Sequence, residues 1–262
     1  MVPSSRGLFV VDQGAGPGVL LLHGQPGTNE HMSLIVSHLG RNVRTLSVDR
    51  PGYGRSEMPA EPFDVQADLF AQLITSRAAG PVVVVGHSYG GGLALFLAAR
   101  HPDLVKGLVL VASLGGKGSV TLGDWLLAAP LLGGIASALT LGVYEHFAPT
   151  LARFSRSGAL AANVPTVPTS VLSQQRTTFL AEQRFLMKER KELDKILDTV
   201  HCPATVITGD RDLIIPREAA VDLAARLSNG RLVEIPGQGH LIPRDAPDAV
   251  AQEVLELLAT QV

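Results

Sequence analysis

Pro81-Val82-Val83-Val84-Val85-Gly86-His87-Ser88-Tyr89-Gly90-Gly91-Gly92 is the stretch whose reading decides the fold. Four consecutive valines, apolar and β-branched, predict a buried strand. The run breaks at Gly86-His87-Ser88-Tyr89-Gly90 and resumes as an almost wholly apolar helix from Leu93 to Arg100. A G-x-S-x-G pentapeptide between strand and helix holds its serine at the tip of a strained turn, the hydroxyl clear of the sheet and glycines where a Cβ would collide. Ser88 is the candidate nucleophile. In a chain with 27 glycines the bare pentapeptide is a weak pattern, and its strand-turn-helix context is what gives it weight.

The surroundings repeat the same alternation. Upstream, Val19-Leu20-Leu21-Leu22 is a short run of the kind covered on both faces, ending in His23-Gly24-Gln25-Pro26-Gly27. A helix is predicted through Met32, Leu34, Ile35, Val36 and Leu39, then a strand at 43–48 ending in Asp49-Arg50-Pro51-Gly52-Tyr53-Gly54-Arg55-Ser56. Val65, Leu69, Leu73 and Ile74 give the next helix its apolar stripe. Residues 7–13 read as a short edge strand. Downstream, Pro102 stops the elbow helix and 107–112 forms another buried strand. A second block resumes at strand 204–208, loop Gly209-Asp210-Arg211-Asp212, a helix from Pro216, strand 232–235, loop 236–240 and a last helix 246–258. The fold class is therefore α/β, with a mostly parallel, doubly wound sheet whose strand-end loops gather along one edge.

Between the blocks the alternation lapses. Residues 115–200 are read as an inserted helical cap, leaving 1–114 and 201–262 as the main domain. Trp125 to Tyr144 carries no Lys, Arg, Asp or Glu apart from Glu145 beyond its end, and is about as long as a membrane span needs. Pro130, Gly133, Gly134 and Gly142 break it, and one crossing would put strands of a single sheet on opposite sides of a bilayer, so lid helices are expected and no membrane span. Gln174 to Leu193 predicts a longer helix with Phe179, Leu186 and Leu193 inward and Arg184, Lys188, Arg190 and Lys191 on a solvated face.

A net charge of −2 over 262 residues offers no basic field for nucleic acid, and a mean hydropathy of +0.24 excludes a disordered chain. Cys202 is the only cysteine, which excludes an internal disulfide and a cysteine-built metal site and suits a reducing compartment; the protein is expected in the cytoplasm.

A serine hydroxyl needs a base to take its proton, and the base needs an acid that fixes its tautomer. His240 follows the last strand on the predicted active edge and is the candidate base. His201 precedes a strand and falls at the opposite edge, while His23 and His87 are expected as hydrogen-bonded supports. For the acid the 209–212 loop offers Asp212, further out and preferred, with Asp210 as the alternative. The backbone N–H groups of Gln25 and Tyr89 are the candidate donors for an oxyanion. The substrate pocket is expected to take in His23, Trp125, Leu126, Leu213 and Leu241, with apolar lid faces favouring a small to medium uncharged substrate.

These motifs resemble those of the α/β-hydrolase superfamily. His23-Gly24-Gln25-Pro26-Gly27 is similar to its oxyanion loop, Asp49 to Ser56 to its D-x-P-G-x-G-x-S turn, Gly86 to Gly91 to its nucleophile elbow, and Gly209-Asp210-Arg211-Asp212 and Gly239-His240 to its acid and base loops. The likeness covers nearly all of the main domain, in order, and none of the cap. It implies a triad of Ser88, Asp212 and His240, no cofactor, and hydrolysis of a carboxylic ester through an acyl-enzyme. Carbon–carbon bond hydrolysis and cofactor-free haloperoxidase or perhydrolase chemistry use the same triad, and a low-turnover receptor on the same fold is a reading of a different class. Epoxide hydrolases and haloalkane dehalogenases of the superfamily use an aspartate at the elbow, against which Ser88 argues.

Overall fold

A computed structural model describes residues 7–77, 79–129 and 169–260. Among them the strands are β1 (Phe9–Gln13), β2 (Gly18–Leu22), β3 (Arg44–Asp49), β4 (Val82–His87), β5 (Val105–Val111), β6 (Ala204–Gly209) and β7 (Gly230–Ile235). They form one sheet in the order β1-β3-β2-β4-β5-β6-β7. Only β1 runs antiparallel, against β3; every other pairing is parallel. The strand carrying the elbow is thus central, where both of its faces are covered.

The valine run shows how the sheet is buried. Val82 and Val84 face one core with Leu20, Leu22, Leu108 and Leu110, whereas Val83 and Val85 face a second core with Val19, Leu21, Val109 and Val111. This is the period-two alternation of a strand, and all of these side chains are fully buried. Each such burial stabilises by about 1.5–3 kcal/mol, so the apolar strands hold the sheet without help from charge. The first core is closed by α2 (Phe63–Ser76), α3 (Tyr89–Arg100) and α6 (Arg217–Arg226), the second by α1 (Ser33–Leu39) and α8 (Pro247–Ala259).

The sequence expectation of one helix through Met32 to Leu39 needs correction. Residues Asn29–Met32 form a 3-10 turn and the α-helix begins at Ser33. Asn29 is tethered through both its backbone N–H and its side-chain amide to Asp49 Oδ1, at 2.7 and 2.6 Å, which fixes the chain's entry. A short helix α7 (Ile242–Asp245) before α8 was also not anticipated.

Of the region between β5 and β6 the structure describes two helices, α4 (Leu122–Ala128) and α5 (Thr169–Ile196). A reciprocal cap starts α4, with Thr121 N–H donating to Asp124 Oδ2 at 2.7 Å. Leu186 and Leu193 face inward as expected, and Arg184, Lys188 and Lys191 are solvated. Arg190 departs from that face, its guanidinium lying 4.7 Å from the Trp125 ring centroid. The expected lid pieces from Pro130 to Tyr144 lie outside the described residues. No described helix is long and apolar enough to cross a membrane. Cys202 packs beside the first core, and burial pushes its thiol up to about 11.

Candidate active site

Ser88 links β4 to α3 with φ 54° and ψ −118°. A non-glycine residue held there stores strain of order 1–3 kcal/mol, and the surroundings enforce it. A Cβ at Gly86 would run into the Gly90 carbonyl and the Gly91 Cα, and one at Gly90 into the Leu22 carbonyl, so the turn packs backbone on backbone. The Ser88 N–H is tied to the Val111 carbonyl at 2.9 Å. Tyr89 opens α3, where the helix offers its N–H no internal acceptor.

The loop after β2 approaches the elbow through Gly24. A Cβ there would stand 2.8 Å from His87 Nδ1 and 3.1 Å from Ser88 Cβ, so glycine is what lets the two turns touch. Gln25, next along, lines the same cavity as Ser88 and His240.

The loops after β6 and β7 bring an imidazole against a carboxylate. His240 Nδ1 lies 2.9 Å from Asp212 Oδ2 and 3.2 Å from Oδ1. Asp212 is fully buried at its carboxylate, and its Oδ1 also accepts the N–H groups of Ile214 and Ile215 at 2.8 and 2.9 Å. A carboxylate oxygen can only accept, so Nδ1 carries a proton, and in the neutral imidazole Nε2 is then the nitrogen that keeps a lone pair. Asp210, the alternative acid, instead accepts the Gly237 N–H at 2.6 Å and closes the turn after β7. The structure therefore brings Asp212, and not Asp210, to His240.

The two histidines expected as supports, His87 and His23, are held neutral by burial. His87 Nε2–H donates to the His240 carbonyl at 2.9 Å, tying the loop after β7 to the elbow, and burial, with the neighbouring His240, holds its pKa well below 6.5. His23 Nδ1–H donates to the Gly24 carbonyl at 2.7 Å while Nε2 accepts the Arg50 N–H at 3.0 Å. Burial first, and then the Arg50 guanidinium, depress its pKa in the same direction.

The cavity holding Ser88 and His240 measures 380 Å3. Leu213 and Leu241 line it, as the sequence suggests, but three other expected pocket residues lie elsewhere. His23 is fully buried at the end of β2. Trp125 and Leu126 are each 48% exposed, because the Thr121–Asp124 cap phases α4 so that Asp124 and Leu127 face the cavity instead. His31, Ser119, Phe179 and Gln183 also line it, and no Lys or Arg does so among the described residues.

Sequence reading passed over one further group. Arg50 is fully buried, pairs with both carboxylate oxygens of Glu182 from α5, and donates to the carbonyls of His23 and Gly24 at 2.9 and 3.1 Å. Tyr53 Oη donates to Glu182 Oε2 at 2.7 Å. A signal existed: Glu182 and Gln183 fall at helical spacing between Phe179 and Leu186, on the face assigned inward.

Residues 19–253 match the sequence profile of the Alpha/beta hydrolase family. The pimeloyl-[acyl-carrier protein] methyl ester esterase of Chromobacterium violaceum is 32% identical over 236 residues, covering 89% of this chain and 91% of that protein. Haloalkane dehalogenase 2 of Mycobacterium tuberculosis is 25% identical over 276 residues, covering 97% and 92%. Among solved structures, a thermophilic esterase from Thermogutta terrifontis superposes with a TM-score of 0.78 at 24% identity, over 97% of this chain and 93% of that one.

Proposed function

The chain belongs to the alpha/beta hydrolase family, and from that premise we propose that it is a serine hydrolase cleaving a carboxylic ester through an acyl-enzyme on Ser88. The observation that carries the reading is the shared cavity. Ser88, on its strained elbow, and His240, oriented by the buried Asp212, face one space of 380 Å3. In the proposed cycle His240 Nε2 takes the hydroxyl proton as Ser88 Oγ attacks the ester carbonyl carbon. The N–H groups of Gln25 and Tyr89 receive the charge that develops on the carbonyl oxygen. The protonated His240 then gives its proton to the departing alkoxide, and water, deprotonated by the same imidazole, releases the acid and restores Ser88.

Residues 115–200 are assigned as the cap in this reading, with α4 and α5 roofing the cavity. The mostly apolar wall suits an uncharged acyl or alcohol group, and the pimeloyl-[acyl-carrier protein] methyl ester esterases supply a precedent for ester chemistry on a similar chain. The dehalogenase likeness carries less weight, because the elbow residue here is a serine. Placement in the cytoplasm rests on the single cysteine.

The test is a panel of short and long p-nitrophenyl esters beside a 1,3-diketone, assayed with the native protein and Ser88→Ala. Ester turnover that Ser88→Ala loses, without diketone cleavage, supports the proposal. Preferred cleavage of the diketone replaces ester with carbon–carbon hydrolysis, and ester turnover undiminished in Ser88→Ala removes Ser88 as nucleophile.

A further inference from the structure

We propose that Arg50 and Glu182 are positioning residues that set the direction of the Gln25 N–H, so that the oxyanion donor is in place only when helix α5 is seated. The inference rests on the serine-hydrolase reading above and names a control on that same site.

The argument begins with one peptide group. The Gly24 carbonyl and the Gln25 N–H belong to the same trans peptide unit, so they point in opposite directions and turn together. That carbonyl takes two hydrogen bonds on its far side, from Arg50 Nη2 at 3.1 Å and His23 Nδ1 at 2.7 Å. Arg50 Nε holds the preceding carbonyl, of His23, at 2.9 Å. Two successive peptide planes are thereby clamped by one rigid guanidinium fork. A cation on the oxygen of an amide also draws electron density from its nitrogen, which makes the N–H a better donor.

The guanidinium is itself held in place from the cap. Glu182 meets it with both oxygens, Tyr53 Oη steadies Glu182, and the rings of Tyr53 and Tyr89 lie against it with centroids at 4.9 Å. Neither charged side chain has any exposure. Helix α5 is fastened nearby by Thr178 Oγ1 donating to the Gly52 carbonyl at 2.8 Å and by the Phe63 N–H donating to Glu189 at 3.1 Å. If α5 lifted, Glu182 would leave, and a buried cation without its anion would draw toward water and release the Gly24 carbonyl. Cap seating and oxyanion geometry are in this way one equilibrium.

The experiment compares native protein with Glu182→Gln and Tyr53→Phe, the second removing one hydroxyl so that a folded variant is at hand. Steady-state hydrolysis of p-nitrophenyl butyrate is read alongside inhibition by a trifluoromethyl ketone, which adds to Ser88 as an oxyanion. The expected result is a kcat at least tenfold lower in Glu182→Gln and about threefold lower in Tyr53→Phe, with KM within twofold and the ketone weakened by the same factor as kcat. The Gln25 amide proton resonance, which needs no turnover, moves in both variants. An unshifted Gln25 resonance, or KM rising while kcat and ketone affinity hold, overturns the proposal. A Gln25 resonance that shifts in the variants, beside native protein that hydrolyses no ester, overturns the serine-hydrolase reading alone.

Discussion

Glu182→Ala should cost about 3–5 kcal/mol of folding stability, a large share of what a single domain possesses. The magnitude follows from what the substitution leaves behind. Arg50 stays charged at any attainable pH, has no exposed surface, and burial works against its charge while Glu182 offsets that burial and raises its pKa. Truncation removes both ionic contacts and strips Tyr53 Oη of its acceptor, a loss of about 1 kcal/mol or more by itself. The carbonyls of His23 and Gly24 and the two tyrosine faces remain, which argues for the lower half of the range. For a protein of this size the expected fall in Tm is on the order of 10 °C. Replacing both partners, as Arg50→Met with Glu182→Leu, removes the orphaned charge and should recover at least about 2 kcal/mol of the loss. Urea unfolding followed by circular dichroism on native protein, Glu182→Ala and the double variant measures both quantities. A Glu182→Ala variant within about 1 kcal/mol of native would refute the view that the pair is dry and mutually dependent.

Three further outcomes are expected. Asp212→Asn should lower kcat by about 10^4, since an amide at that position favours the wrong imidazole tautomer, whereas Asp210→Asn should change kcat by less than about tenfold; equal losses would return Asp210 to candidacy as the acid. His23 and His87 are neutral when folded, with pKa values well below 6.5, and protonate near 6.5 when unfolded, so their contribution is present above about pH 6.5 and lost as pH falls. From about pH 7 to about pH 5.5 denaturant unfolding should register a loss of stability from this pair, and a stability that rises over that window contradicts the assignment. Gly24→Ala should remove activity while the protein remains folded, because its methyl group would press on His87 and Ser88; full activity would mean that the two loops need not touch.

The central sheet and the elbow were legible because their signals are local. Val82 to Val85 set the period, Gly86 and Gly90 mark where backbone meets backbone, and the structure places them as that pattern requires. His240 could be singled out because parallel topology sends every strand-end loop to one edge. Choosing Asp212 over Asp210 depended on how far each stands into its loop, and the contact with His240 agrees. What escaped is set by partners far apart in the chain. Arg50 and Glu182 are 132 residues apart, and nothing near either one announces the other. Trp125 and Leu126 were drawn into the pocket by their apolar character, but α4 has only seven residues, too few for periodicity to fix its phase, and the Thr121–Asp124 cap fixes it instead. His31 reaches the cavity wall from the turn that the tether of Asn29 to Asp49 fixes, a contact no local pattern announces.

The most direct measurement is labelling with a fluorophosphonate, the modified residue then located by peptide mass spectrometry. A single adduct on Ser88, absent in Ser88→Ala and formed at least about a hundredfold more slowly in His240→Ala, is the predicted result. An adduct on any other residue, or labelling of Ser88 at the native rate without the His240 imidazole, contradicts it.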